Sequence, residues 1–158
     1  MAEKKQLNLN DEEMKKILTE EETGNLSLAA ENMPYGIPVS YAWIDDRIII
    51  HCSLKGKKMD IIRKNQHVCF TVSRNPDRMK PHHAEGKCDY RFESILCFGK
   101  AQIVNDLNDR LEYLKKFKSF FYKKLNLDNN QDPVTIETAQ KCGCIVIEVE
   151  KMTGLRRD

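Results

Sequence analysis

Apolar residues in this chain fall mostly at alternate positions, and only in a few short windows at every third or fourth. Residues 10 to 22, NDEEMKKILTEEE, are one such window: Met14, Ile17 and Leu18 share a side, Asn10 or Asp11 can cap, and Glu13 sits in the first turn. This predicts a short amphipathic helix. Thr23-Gly24 breaks it, and Leu26, Leu28 and Ala30 then alternate with Asn25, Ser27 and Ala29 as a first strand, ending in a turn at Glu31-Asn32-Met33-Pro34. The stretch YGIPVSYAWIDDRIIIHCS reads as a hairpin turning at Asp45-Asp46, with Ile37, Val39, Tyr41 and Trp43 on one face of its first strand. Pro38 lies inside that strand, and a residue without an N–H predicts an edge, a bulge or an approach by something other than a strand.

Helical spacing returns over 56 to 65, where Met59, Ile62 and Ile61 oppose a lysine-rich side. A strand over 67 to 73 follows, then a long loop, 74 to 92. Residues 94 to 104, SILCFGKAQIV, predict a strand bent at Gly99, and Asn105-Asp106 cap a helix carrying Leu107, Leu111, Leu114, Phe117 and Phe121. A polar loop, a turn of helix near 135 to 140 and a last strand over 144 to 150 complete the chain, with no internal repeat. About six strands, mostly joined by turns too short for parallel crossovers, and two or three peripheral helices predict a mainly β, closed or nearly closed antiparallel barrel. A small barrel fills its own interior, so a ligand would sit outside it or between subunits.

The chain has 158 residues, which suits one domain over 1–158, with 1–8 expected to be a disordered tail. Lys and Arg number 26 against 24 acids, so a net charge of +2 gives no global field for nucleic acid or membrane. The start has no apolar core of a signal peptide and no later run approaches a membrane span, which leads us to expect a cytoplasmic protein. Of six cysteines, Cys52, Cys69, Cys97 and Cys144 lie in apolar, β-rich runs and are expected to be reduced packing residues. His82, His83 and Cys88, with Cys142 and Cys144 far downstream, do not form the two close pairs of a zinc site, so no metal is expected.

Charge becomes informative locally. HCSLKGKKMDIIRKN, residues 51 to 65, places Lys55, Lys57, Lys58, Arg63 and Lys64 directly after the apolar run Ile48-Ile49-Ile50. A strand ending at His51-Cys52-Ser53 and a helix opening at Gly56-Lys57-Lys58 would bring free backbone N–H groups, a hydroxyl and ammonium groups together, an arrangement that suits phosphate. The competing reading is a solvated helix face. GxxxxGK[ST] is absent, so a nucleotide P-loop is not indicated.

The order PYGIPVSYAWIDDRIIIHCSLKGKKMDIIRKNQHVCFTV, then ESILCFGKAQIV, then a late strand ending in KMTG, resembles the FMN-binding split-barrel superfamily of pyridoxamine 5′-phosphate oxidase, over roughly residues 7 to 154. Within it the chain is most similar to the 5-nitroimidazole-resistance branch. The resemblance implies a six-stranded split barrel that forms a homodimer with FMN at the subunit interface. It implies that Ser53, Lys57 and Lys58 hold the FMN phosphate and that His51 and Cys52 lie along the ribityl chain and ring. Pro38, Val39, Ser40 and Tyr41 would edge the isoalloxazine, and Glu93 and Ser94 would complete the phosphate end.

Two departures bear on activity. Gly56-Lys57-Lys58 stands where the oxidase has Ser-Arg-Lys, and the C-terminus Thr-Gly-Leu-Arg-Arg-Asp differs from its Arg-Leu-Asn-Pro segment, so oxidation of pyridoxamine 5′-phosphate is not expected. The implied chemistry is instead redox transfer to a small-molecule electron acceptor, such as a nitroaromatic, with the flavin carrying the electrons. His51, and His82 and His83 in the 74–92 loop, are the candidate proton carriers, although the two loop histidines read more readily as ordinary surface. A flavin-binding module without turnover and a haem- or deazaflavin-binding relative are the alternatives.

Overall fold

A type I′ reversal places two residues with positive φ between antiparallel strands, and the sequence supplies that chemistry twice. Glu31 and Asn32 have φ of 53° and 61°, and Asp45 and Asp46 have φ of 53° and 57°. The first pair joins β2 (Thr23–Ala30) to β3 (Met33–Ser40), and the second joins β4 (Ala42–Ile44) to β5 (Arg47–Cys52). The structure is a computed structural model and describes residues 6–75 and 91–157. His82, His83 and Cys88 therefore lie outside the described residues.

The remaining elements are β1 (Gln6–Asn8), α1 (Asp11–Glu20), α2 (Lys57–Lys64), β6 (His67–Arg74), β7 (Phe92–Ile103), α3 (Leu107–Lys124), α4 (Ile136–Lys141) and β8 (Gly143–Arg157). The strands form one antiparallel sheet in the order β3-β2-β6-β7-β8-β5-β4, with β1 added to the far half of β8. Its two end strands, β3 and β4, are separated in the chain by Tyr41 alone. The sheet must therefore curl until its ends meet, which makes a split barrel. No helix among the described residues is long and apolar enough to cross a membrane.

Curling divides the core in two. Inside lie Leu26, Ile48, Ile50, Phe70, Ile95 and Ile145, all fully buried, with Met14, Ile17 and Leu18 of α1 and Met59 and Ile62 of α2 plugging the openings. Each such side chain stabilises the fold by about 1.5–3 kcal/mol. Outside, Ile49, Cys144 and Val146 meet Leu114 of α3 and Ala139 of α4. Asn10 caps α1 in a reciprocal capping box with Glu13, and Asp106 caps α3.

Five sequence expectations change in detail. Gln6–Asn8, assigned to the tail, pair with Leu155–Arg157 as β1. The single strand expected over 35–44 is two, because the chain crosses at Tyr41 from one sheet edge to the other; Ile37, Val39, Tyr41 and Trp43 keep facing one interior throughout, which mimics one strand. The last strand runs on to Arg157, held by ladders to β7 and β1 rather than by apolar alternation. The sheet thus has eight strands rather than about six. The bend expected at Gly99 is a bulge between Phe98 and Gly99, where a Cβ would collide with the carbonyl oxygen of Glu148.

Candidate cofactor site

β5 ends at Cys52 because Ser53 to Gly56 turn the chain into α2. Gly56 occupies the N-cap position with φ of 130°, a backbone conformation that favours glycine, and it offers no side-chain cap. The first N–H groups of α2 are consequently left for solvent or an anion. The cations around them are unequally engaged. Arg63 pairs with Asp60 at 2.9 Å and Lys64 with Glu31 at 2.8 Å. Lys55, Lys57 and Lys58 have no acidic partner within ion-pair distance among the described residues. The corner is thus a local positive site on a nearly neutral chain, and its donor set fits a phosphate.

Lys57 and Lys58 do not act alike, since successive helix residues diverge by about 100°. Lys57 Nζ lies 4.9 Å from the centre of the Tyr35 ring on β3. Lys58 instead acts electrostatically on both His51 and Cys52 at the end of β5. Those two residues face opposite sides of the sheet. Cys52 turns inward, its sulfur 3.8 Å from that of Met59. His51 turns outward, its ring centre 4.7 Å from that of Phe117 on α3.

Environment sets their protonation. His51 is exposed on one side, but the partial burial of its ring, which packs against Phe117, disfavours charge and Lys58 adds to this, so its pKa lies below the ordinary histidine value. Burial raises the Cys52 pKa; Lys58 works against that rise and the Cys142 thiol adds to it. The neutral imidazole is the form present at neutral pH, and the Cys52 thiol stays protonated. Cys97 and Cys144 are pushed up to about 12 by burial, in keeping with packing roles.

Other predicted site residues separate. β3 is an end strand of the sheet, so Pro38 costs no ladder bond on its open side. Pro38 and Ser40 face outward there while Val39 packs inward. Tyr41 does not border an open edge: its side chain is fully buried, packs edge-on against Phe70 at 4.9 Å, and donates its hydroxyl to the Leu18 carbonyl at 2.8 Å. Its side chain is a core group that closes the barrel. Glu93 and Ser94 are absent from the corner, because register sets Glu93 opposite Arg156 whereas His51 is opposite Cys144, twelve residues earlier on β8. The Glu93 carboxylate is buried between Arg74 and Arg156, at 2.5 and 2.7 Å.

Sequence reasoning missed Phe117, Phe121 and Cys142 as neighbours of His51. The alternation of β5 carried the signal, for a residue two along from Ile49 must share its outer face with α3 and α4.

A family model described as pyridoxamine 5′-phosphate oxidase matches residues 10–156. No curated protein matches the sequence significantly. Among solved structures, a candidate 5-nitroimidazole antibiotic resistance protein from Bacteroides thetaiotaomicron is similar with a TM-score of 0.76 at 21% identity, covering 99% of this chain and 93% of that one. An FAD-binding protein from Mesorhizobium loti gives 0.71 at 20% identity over 99% of both chains. An FAD and haem binding protein from Mycobacterium smegmatis gives 0.74 at 13% identity, covering 98% of this chain and 74% of its own.

Proposed function

Because the chain belongs to the pyridoxamine 5′-phosphate oxidase family, we propose that it is a flavin-binding protein holding FMN by its phosphate at the Ser53–Lys58 corner, and that it serves as a flavin-dependent reductase of small aromatic or nitro compounds. The observation that carries the reading is the uncapped start of α2 beside lysines with no acidic partner among the described residues. A phosphate there would receive backbone N–H groups, the Ser53 hydroxyl and the Lys58 ammonium, and charge-assisted hydrogen bonds contribute about 1.5–3 kcal/mol each. One phosphate-sized donor set favours FMN over a dinucleotide. The open edge of β3 at Pro38 and Ser40 offers outward backbone groups to the rim of a planar ring.

When bound, FMN would supply the transfer of two electrons from a reduced nicotinamide to a planar acceptor; a nitro group taking them with two protons becomes nitroso and releases water. His51, neutral and next to the corner, is the described residue best placed to hold or pass a proton there. A homodimer with the flavin between subunits belongs to the same reading, as the family resemblance implies. Flavin titration followed by an assay of NAD(P)H oxidation with nitrobenzene as acceptor tests both halves. FMN uptake with turnover supports the proposal, uptake without turnover leaves a flavin-binding module, and no uptake overturns both.

A further inference from the structure

An open cavity of about 270 Å³ lies on the outer face of the sheet between β5, α3 and α4. Its walls are almost wholly carbon: Leu114, Phe117 and Phe121 line one side, and Val134 and Cys142 the other. The rings are already mutually arranged, His51 to Phe117 at 4.7 Å and Phe117 to Phe121 at 4.8 Å, both tilted. A third ring entering this row would find the offset and edge-on contacts that aromatic groups favour.

Polar groups around the cavity are engaged away from it. Lys118 donates to the carbonyls of Asn129, at 2.9 Å, and Gln131, and its ammonium lies 4.4 Å from the centre of the Tyr122 ring. The Tyr122 hydroxyl is 3.5 Å from the Asp132 carboxylate, and the Thr138 hydroxyl is 3.2 Å from that of Thr135. His51 differs, for neither of its ring nitrogens has a hydrogen-bond partner among the described residues. The cavity therefore presents apolar walls, no unengaged charge and one neutral group able to donate and accept.

We propose that this cavity binds a neutral, planar aromatic molecule of one or two rings, stacked among Phe117 and Phe121 and hydrogen-bonded to His51. The absence of unengaged charge selects against anions, and the volume falls below the roughly 300 Å³ at which drug-sized pockets begin. The proposal deepens the reductase reading, since His51 would join this cavity to the Ser53–Lys58 corner and a molecule held here would be the electron acceptor. Binding itself does not depend on that reading.

Indole is a suitable probe, titrated into the protein with and without added FMN and followed by amide NMR shifts. Saturable shifts centred on His51, Phe117, Phe121 and Cys142 are expected, and Val134→Phe, which fills the cavity from its loop wall, should weaken binding at least tenfold. Shifts centred elsewhere in the unmodified protein, or unchanged affinity in folded Val134→Phe, would overturn the inference. Indole bound here by a protein that never takes up FMN would uphold the cavity and sink the flavin reading. FMN uptake with no indole shifts at these residues would do the reverse.

Discussion

His51 and Cys52 are consecutive in β5 and stand on opposite faces of the sheet, the imidazole against Phe117 at 4.7 Å and the thiol against Met59 at 3.8 Å. The strand's last outward residue therefore sets an exposed imidazole beside the Ser53–Lys58 corner, while its last inward residue packs against the core. Lys58 at the start of α2 influences both.

The two adjacent lysines should separate experimentally. Lys58→Ala is expected to weaken FMN binding by roughly 10- to 100-fold, the loss of one charged hydrogen bond at about 1.5–3 kcal/mol. Lys57→Ala should have the smaller effect, since that side chain leans over Tyr35. Quenching of flavin fluorescence on titration measures both constants.

His51 should titrate below the ordinary histidine value, and Lys58→Ala should move it upward by removing the second cause of its depression. With the folded pKa lowered, the unfolded chain binds the extra proton first as the pH falls. Stability from this group is thus constant above the ordinary value and declines below it. Imidazole proton NMR across roughly pH 4.5 to 8.5, about two units either side of the reference value, follows the titration.

Glu93→Gln should destabilise the fold by about 1.5–3 kcal/mol, because Arg74 and Arg156 would lose a shared carboxylate. Burial works to raise the Glu93 pKa, but the hydrogen bonds and charges of Arg74 and Arg156 together bring it below the ordinary value. The stability it contributes is present above the ordinary carboxylate pKa and disappears as the pH falls through the lowered one. Urea unfolding of wild type and variant at neutral and acid pH should converge toward the acid end.

Tyr41→Phe should cost about 1–3 kcal/mol, since it leaves the Leu18 carbonyl without its buried donor. FMN affinity should change little, because that hydroxyl lies in the core. Thermal unfolding and flavin titration on the same sample check both halves.

Much of this architecture was legible because local chemistry repeated it. The capping box at Asn10 and Glu13 and the Asp45-Asp46 reversal state their elements directly, and the cationic run after β5 marked the corner. What escaped was whatever depends on partners distant in the chain. Residues 6–8 and the polar end of β8 carry no apolar period and become strands only through each other and β7. Glu93 looked like part of the corner by motif, yet strand register sends it to Arg156. Likewise, adjacency in sequence put His51 with Cys52, whereas the pleat separates them.

The central claim is that the Ser53–Lys58 corner holds a phosphate, and comparing the affinities of FMN and riboflavin for the purified protein isolates that group. The expected result is FMN binding at least tenfold tighter than riboflavin, the worth of one charged hydrogen bond at about 1.5 kcal/mol or more, with the ratio collapsing toward unity in Lys58→Ala. Equal affinities in the unmodified protein, or a ratio untouched by Lys58→Ala, would contradict it.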